Sequence, residues 1–374
     1  MSRQSKKVII LTHKLGPNYG GILQAYALQS YVRKLLPGVS IETTHLQPAP
    51  GLIRRAASIS LNLIKRRSIY VSTLWMQRVV QRETLNFITN HMTCTTGLDI
   101  DGDAYIVGSD QVWRAAYADP LRYMFSDIEA STSIKISYAA SFGTDDLSEF
   151  SEYQIKRSGE LAGKFSAISV REDSGVDIAR KSWGLQAEHH IDPTLLLAKE
   201  EYSALIGKGS TIDLGGSLFA YVLDRSATNE KIIAKVEALS HTKKFELMPA
   251  QYGSLMNFLL NKDAYRMPKV EQWLKSFRDA EYVVTDSFHG TVFSIIFNKP
   301  FITIGNKSRG LARFTSLLST FGLEHRLISS PNDIDSKLVS ASIGWAPVNR
   351  IITKERQRSL NYLSRHLSAI KGAK

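Results

Sequence analysis

Four polar residues crowd one short turn of the chain: Asp286, Ser287, His289 and Thr291, with Gly290 between the last two. The residues before them, Tyr282 to Thr285, form an apolar, β-branched run that predicts a buried parallel strand. Thr291 to Phe297 predicts a buried helix, Asn298-Lys299-Pro300 ends it, and Phe301 to Ile304 predicts the next strand. The polar side chains therefore gather at the carboxyl end of a strand, where open α/β sheets bind ligands. The first turn of the following helix adds free backbone N–H groups and a positive dipole end, which suit an anion. A histidine in that setting gives or takes a proton near neutral pH, so His289 is the candidate for acid–base chemistry. Its plainer role is a capping histidine bonded to backbone. Asp and Ser are preferred N-caps, so Asp286 and Ser287 serve either as caps or as substrate contacts. Gly290 and Thr291 complete the candidate substrate-binding turn.

Other strand ends deliver polar groups in the same way. The loop His13 to Gly21 holds Asn18, Gly20 and Gly21 ahead of a predicted helix over 22–36. Its glycines do not form G-x-G-x-x-G, so a dinucleotide site is not indicated. Paired glycines still let backbone approach a phosphate closely, or simply make a tight turn. Ser109 and Asp110 follow the predicted strand 104–107. Arg171 follows the predicted strand 167–170, where it grips a carboxylate or phosphate by two prongs, or pairs with Glu172 or Asp173. Lys307, Arg309 and Arg313 follow the strand ending at Ile304; a helix would place Arg309 and Arg313 on one side. His189 and His190 are adjacent on a predicted strand and so point to opposite faces, which argues against a shared metal ion.

These turns need a scaffold of alternating strands and helices, and the hydrophobic pattern supplies one. The fold class is α/β, with two Rossmann-like domains facing a cleft lined by the loops 13–21, 108–111, 171–174, 286–291 and 305–313. The expected boundaries are 1–200 for the first domain, with a basic helical insertion at 51–90, then 201–345 for the second. A last helix within 346–374 is expected to cross back to the first domain.

Composition narrows the function. The chain has 374 residues, 43% hydrophobic and 22% charged, as ordinary globular proteins do. A single cysteine, Cys94, excludes an internal disulfide and a cysteine-rich metal cluster. No leader pattern and no apolar run of membrane-spanning length is seen, so a cytoplasmic protein is expected. The net charge of +12 is uneven: no acid lies between Glu42 and Glu83, a gap holding Arg54, Arg55, Lys65, Arg66, Arg67, Arg78 and Arg82. With the apolar residues between them, these cations suggest peripheral contact with an anionic membrane, or a solvated face on a packed helix. Cations interleaved with aromatics on one strand, as nucleic-acid readers use, are not evident.

The stretch V-V-T-D-S-F-H-G-T-V-F-S-I-I-F-N-K-P-F-I resembles the signature of the polysaccharide pyruvyl transferase family. Three further stretches fit in order: N-Y-G-G-I-L-Q-A-Y-A-L-Q at 18–29, Y-I-V-G-S-D-Q-V-W at 105–113 and I-S-V-R-E-D-S-G at 168–175. The resemblance implies the GT-B glycosyltransferase architecture, phosphoenolpyruvate as donor substrate with no cofactor or metal, and a sugar acceptor that is lipid-linked or nucleotide-linked. Many members read R-L-H at the histidine turn where this chain reads Ser287-Phe288-His289, so the cation must come from elsewhere, with Arg309 and Arg313 as candidates. Two other functions fit the residues: a GT-B glycosyltransferase using a nucleotide sugar, and a non-catalytic polyanion binder supported by charge alone.

Overall fold

A computed structural model describes residues 6–45, 75–95, 101–126, 133–207, 216–250, 254–305 and 310–370. Its first half is a parallel sheet in the order β2-β1-β3-β4, built from β1 (Lys7–Thr12), β2 (Ser40–His45), β3 (Ala104–Val107) and β4 (Ile134–Ser137). Helices α1 (Tyr19–Leu35), α2 (Arg82–His91) and α3 (Glu152–Ala162) pack on it. Single bridges, Ile136 to Ala167 and Ala140 to Val170, extend the sheet to β5 (Ser169–Val170) and β6 (Glu188–His189), which flank α4 (Asp173–Trp183). Helix α5 (Lys199–Ile206) leads into the second half.

There a five-stranded parallel sheet runs β11-β10-β9-β7-β8. Its strands are β7 (Leu218–Tyr221), β8 (Lys244–Phe245), β9 (Tyr282–Thr285), β10 (Phe301–Ile304) and β11 (Leu327–Ile328). The helices are α6 (Ala227–Ser240), α7 (Leu255–Leu260), α8 (Val270–Asp279), α9 (Phe288–Ile296), α10 (Leu311–Phe321), α11 (Ser336–Ser340) and α12 (Trp345–His366). The short strands are apolar on both faces because helices cover both faces of a parallel sheet; every residue of β3, β7, β9 and β10 is buried. The result is two Rossmann-like domains.

Two helix starts differ from the sequence reading, and each difference moves candidate residues. Helix α1 begins at Tyr19 rather than Ile22, because Asn18 already offers its carbonyl to Ile22 N at 3.0 Å. Helix α9 begins at Phe288 rather than Thr291, with Ser287 Oγ capping Gly290 N. Gly20, Gly21, His289 and Gly290 therefore lie in first helical turns, not in the loops before them. Helix α10 starts at Leu311 after Gly310, whose φ is 88°, and the expected helical pairing of Arg309 with Arg313 falls outside the described residues. Arg309 and Lys307 lie outside the described residues, as do Arg54, Arg55, Lys65, Arg66 and Arg67 of the basic insertion. Ser174 stands inside α4, and Glu172 holds the cap position.

The two domains are tied by aromatic and backbone contacts near the cleft. Tyr19 of α1 stacks on Trp273 of α8, with centroids 5.3 Å apart, and donates its hydroxyl to Pro268 O at 2.6 Å. Trp273 is fully buried, and removing a ring so placed costs about 3–5 kcal/mol. Helix α12 crosses to the first domain: Tyr362 donates to Ser137 O at 2.8 Å, and Arg356 donates to Leu195 O and Leu197 O at 2.6 Å each.

His190 is locked at that crossing. Its ring lies 4.7 Å from Tyr362 and 5.9 Å from Tyr138, and Nδ1 meets Ser169 Oγ at 3.0 Å. Burial, reinforced by Arg358, pushes His190 down to about 3. A histidine neutral in the fold and protonated in the unfolded chain withdraws stability as pH falls from about 6.5 toward that value. Acidification from pH 6 to pH 4 is expected to cost about 1.4 kcal/mol per pH unit through this group. Urea unfolding of wild type against His190→Gln should show the variant with the flatter acid slope; equal slopes would contradict the assignment.

Candidate functional site

His289 enters the first turn of α9 with its ring nearly enclosed, 6% exposed. A Cβ placed on Gly20 would fall within 2.8 Å of the ring's Cε1 and closer still to Nδ1 and Cγ. Only glycine at that position lets the first turn of α1 sit against the imidazole, so two helix N-termini from different domains converge on one side chain. Such termini carry unbonded N–H groups and positive dipole ends.

On the other side, His289 Nε2 lies 3.5 Å from Asp192 Oδ2. The same oxygen accepts from Arg171 Nη1 at 3.0 Å and from Ser109 Oγ at 3.4 Å. Asp192 Oδ1 accepts from Thr194 N at 3.0 Å and Thr194 Oγ1 at 2.7 Å, at the start of a short Pro193–Leu196 turn. Burial by itself would raise Asp192; His289, then Arg171 and Thr194, outweigh it and hold the carboxyl well below the usual range.

Arg171 is 4% exposed, and beyond its bond to Asp192 its Nε and Nη2 have no partner among the described residues. Its guanidinium stacks 4.6 Å from the centroid of Phe288, and that of Arg313 lies 5.3 Å from the same ring. Phe288 thus gathers two cations around its ring. Burial, with Arg171 adding to it, pushes Arg313 down to about 10, which leaves it charged at neutral pH. Glu172, fully buried, accepts from Ser141 Oγ and from Gly143 N at 3.1 Å. Gly143 and Gly310 meet across the domains so closely that a side chain on Gly310 would strike Gly143 O.

A cleft of about 310 Å³ opens beside this cluster, lined among others by His13, Lys14, Asn18, Gly21, Asp110 and Gln111. Burial would raise Asp110, but His13, Arg171 and His289 lower it, joined by a 2.8 Å bond from Gln111 N. The carboxylate of Asp110 therefore links the cleft electrostatically to Arg171 and His289. His13 is held between Tyr123 Oη at 3.1 Å and Gln111 O at 2.8 Å. Burial pushes Tyr123 up to about 12, with Asp110 adding to the rise.

The structure thus brings together Asn18, Gly20, Gly21, Ser109, Asp110, Arg171, His289 and Arg313. Ser109 is wholly buried and also bonds Gln24 Oε1 through both N and Oγ, at 2.9 and 3.0 Å, so it braces the cluster. Asp286 is wholly buried, and its two oxygens accept from Leu223 N at 2.7 Å and Asp224 N at 2.8 Å, securing the loop after β7. Thr291 is buried and bonds Ser287 O at 3.2 Å and Thr303 Oγ1 at 2.9 Å. Gly290 is glycine for a packing reason, since a Cβ there would collide with Thr285. Asp192, Gln24, His13 and Gln111 were not marked as site residues by sequence reasoning. Asp192 carried one signal, an Asp before Pro-Thr, which reads as a cap and says nothing of its second oxygen. Among the described residues no cluster of metal-ligating side chains occurs and no helix is long and apolar enough to cross a membrane.

Comparison with solved structures finds the same architecture. A protein described as a UDP-N-acetylglucosamine 2-epimerase from Listeria monocytogenes superposes with a TM-score of 0.54 at 9% identity, covering 98% of each chain. The S. aureus MnaA–UDP complex does so with a TM-score of 0.50 at 9% identity, covering 99% of each. At that identity the likeness shows the fold alone, a GT-B arrangement. No curated protein matches by sequence. The family model for polysaccharide pyruvyl transferase matches residues 18–308, which take in both helix N-termini at His289, Arg171 and Asp192; the chain belongs to the polysaccharide pyruvyl transferase family.

Proposed function

We propose that this protein transfers pyruvate from phosphoenolpyruvate to hydroxyls of a sugar in a cell-surface polysaccharide or its precursor. The observation that carries the proposal is the unspent cation: Arg171 is buried, with two nitrogens unpartnered, next to the His289–Asp192 pair. A guanidinium offering parallel N–H groups suits a carboxylate or phosphate. The converging N-termini of α1 and α9 suit the other anionic group of the donor.

In this scheme His289, held 3.5 Å from the Asp192 carboxylate, gives a proton to the methylene carbon of the donor. The adjacent carbon becomes electrophilic, a sugar hydroxyl attacks it, and the hydroxyl proton passes to a base, for which neutral His289 is then competent. Phosphate leaves with the electron pair of its C–O bond, and a second hydroxyl of the same sugar closes on that carbon to give the ketal, its proton passing to the departing phosphate. Arg171 and Arg313 hold negative charge through the step, and the scheme draws no electrons from a cofactor.

Phosphoenolpyruvate is expected to raise the melting temperature, since a ligand of the native state stabilises by about 2.7 kcal/mol at a hundredfold excess over Kd. Arg171→Lys should need a higher donor concentration for the same shift, because lysine lacks the planar fork. A shift with nucleotide sugars and none with phosphoenolpyruvate would replace this reading by glycosyl transfer.

A further inference from the structure

Helix α7 presents an apolar face to solvent. Of its six residues, Leu255, Met256, Leu259 and Leu260 are 46, 64, 45 and 72% exposed. Only Phe258 turns inward, packing edge-on against Trp75 at 5.8 Å and against Tyr265 at 5.2 Å. Trp75 is itself 39% exposed, with the Lys262 ammonium 5.0 Å from its ring centroid. Ser254 caps the helix by accepting from Asn257 N at 3.2 Å, so the face is a built element. A contiguous apolar patch with a polar rim marks an interaction surface.

The rim identifies the partner. The segments 75–82 and 254–269 carry Arg78, Arg82, Lys262, Arg266 and Lys269 against one acid, Asp263, which Arg266 neutralises at 2.8 Å. By sequence, the chain leading into Trp75 continues the excess with five more cations and no acid back to Glu42. Exposed leucines, an indole at the edge and surrounding cations are what an interfacial helix uses on anionic lipid. The tryptophan suits that depth because its ring is apolar and its N–H is not.

The segment that carries Trp75 also reaches the cleft through Gln81. A Cβ on Gly16, a cleft-lining residue, would lie 3.7 Å from Gln81 Oε1. The neighbouring Val80 O accepts from Met267 N at 2.8 Å, and Pro268 O accepts from Tyr19 Oη at 2.6 Å. We infer that α7 and Trp75 form a docking surface for an anionic lipid bilayer, which sets the mouth of the cleft at the membrane. The surface does not depend on which donor the cleft holds.

Full-length protein is sedimented with vesicles of phosphatidylcholine alone or phosphatidylcholine mixed with phosphatidylglycerol. The wild type is expected to pellet with the mixed vesicles and poorly with the neutral ones, and to be partly released by salt. Met256→Glu with Leu260→Glu, both at exposed positions, should lower the bound-to-free ratio about tenfold or more at unchanged melting temperature, because charge is costly at the acyl boundary. Arg78→Gln with Lys262→Gln should lower it less and leave it less sensitive to salt. Equal pelleting of wild type and the glutamate variant, or none by the wild type, overturns the inference. So does a wild-type dimer in light scattering that the glutamates split without any vesicle binding, since the occupant is then a second copy.

Discussion

Alanine in place of His289 is expected to lower turnover by about 10²- to 10⁴-fold, the range a positioned proton carrier supplies. The loss should fall on kcat, with the donor's thermal shift largely kept, because the anion contacts belong to Arg171 and the helix termini. Asp192→Asn should also lower kcat, since the imidazole loses the carboxylate 3.5 Å from its Nε2. It should cost more stability than His289→Ala, because the same oxygen pairs with the buried Arg171, and a buried pair broken from one side typically costs about 3–5 kcal/mol. Steady-state kinetics with release of inorganic phosphate, set beside thermal melts, separate the two effects. A His289→Ala protein that turns over near the wild-type rate would reduce the ring to a packing element between two helices.

The histidine turn was legible in the sequence because a buried strand, a polar turn and a buried helix have different hydrophobic periods. The strand Tyr282–Thr285 and the strand Phe301–Ile304 came out at their observed bounds for that reason. Helix starts were less legible. Glycines read as loop residues, yet Gly20 and Gly290 sit in helical first turns, Gly290 kept free of a side chain by Thr285 of the preceding strand and Gly20 by His289, far away in sequence. Periodicity has no access to such a neighbour. The roles of Asp286 and Asp192 illustrate the same limit. Both are acids near strand ends, and local pattern favoured Asp286; Asp286 is spent on the backbone of the β7 loop, while Asp192 reaches His289 from the other domain. The R-L-H pattern expected from the resemblance lacks its cation at Ser287, and the adjacent Phe288 ring instead collects Arg171 and Arg313.

A second large effect is expected from Gly20→Ala. The backbone at Gly20 is helical and alanine is the better helix former by about 1 kcal/mol, so local propensity alone predicts a stabilised protein. The added methyl group would nonetheless occupy the position of the His289 ring, inside contact distance of Nδ1, Cγ and Cε1. The ring is 6% exposed and closed in by Asp192 on its far side, so it has little room to yield, and the first turns of α1 and α9 must part instead. Turnover should fall about 10²-fold or more, approaching the His289→Ala loss, since even small misplacement of a catalytic group is that costly. The decisive measurement is the double variant. Once His289 is alanine, the methyl at position 20 enters vacated space, so Gly20→Ala should add no further loss of turnover. It should then stabilise by roughly 0.5–1 kcal/mol, because only the helix term remains. The coupling between the two positions is thus expected to be large and opposite in sign to the single-variant effect. Independent, additive losses from the two substitutions, or a Gly20→Ala protein with wild-type turnover, would mean that the two helices do not meet at His289 in the working enzyme.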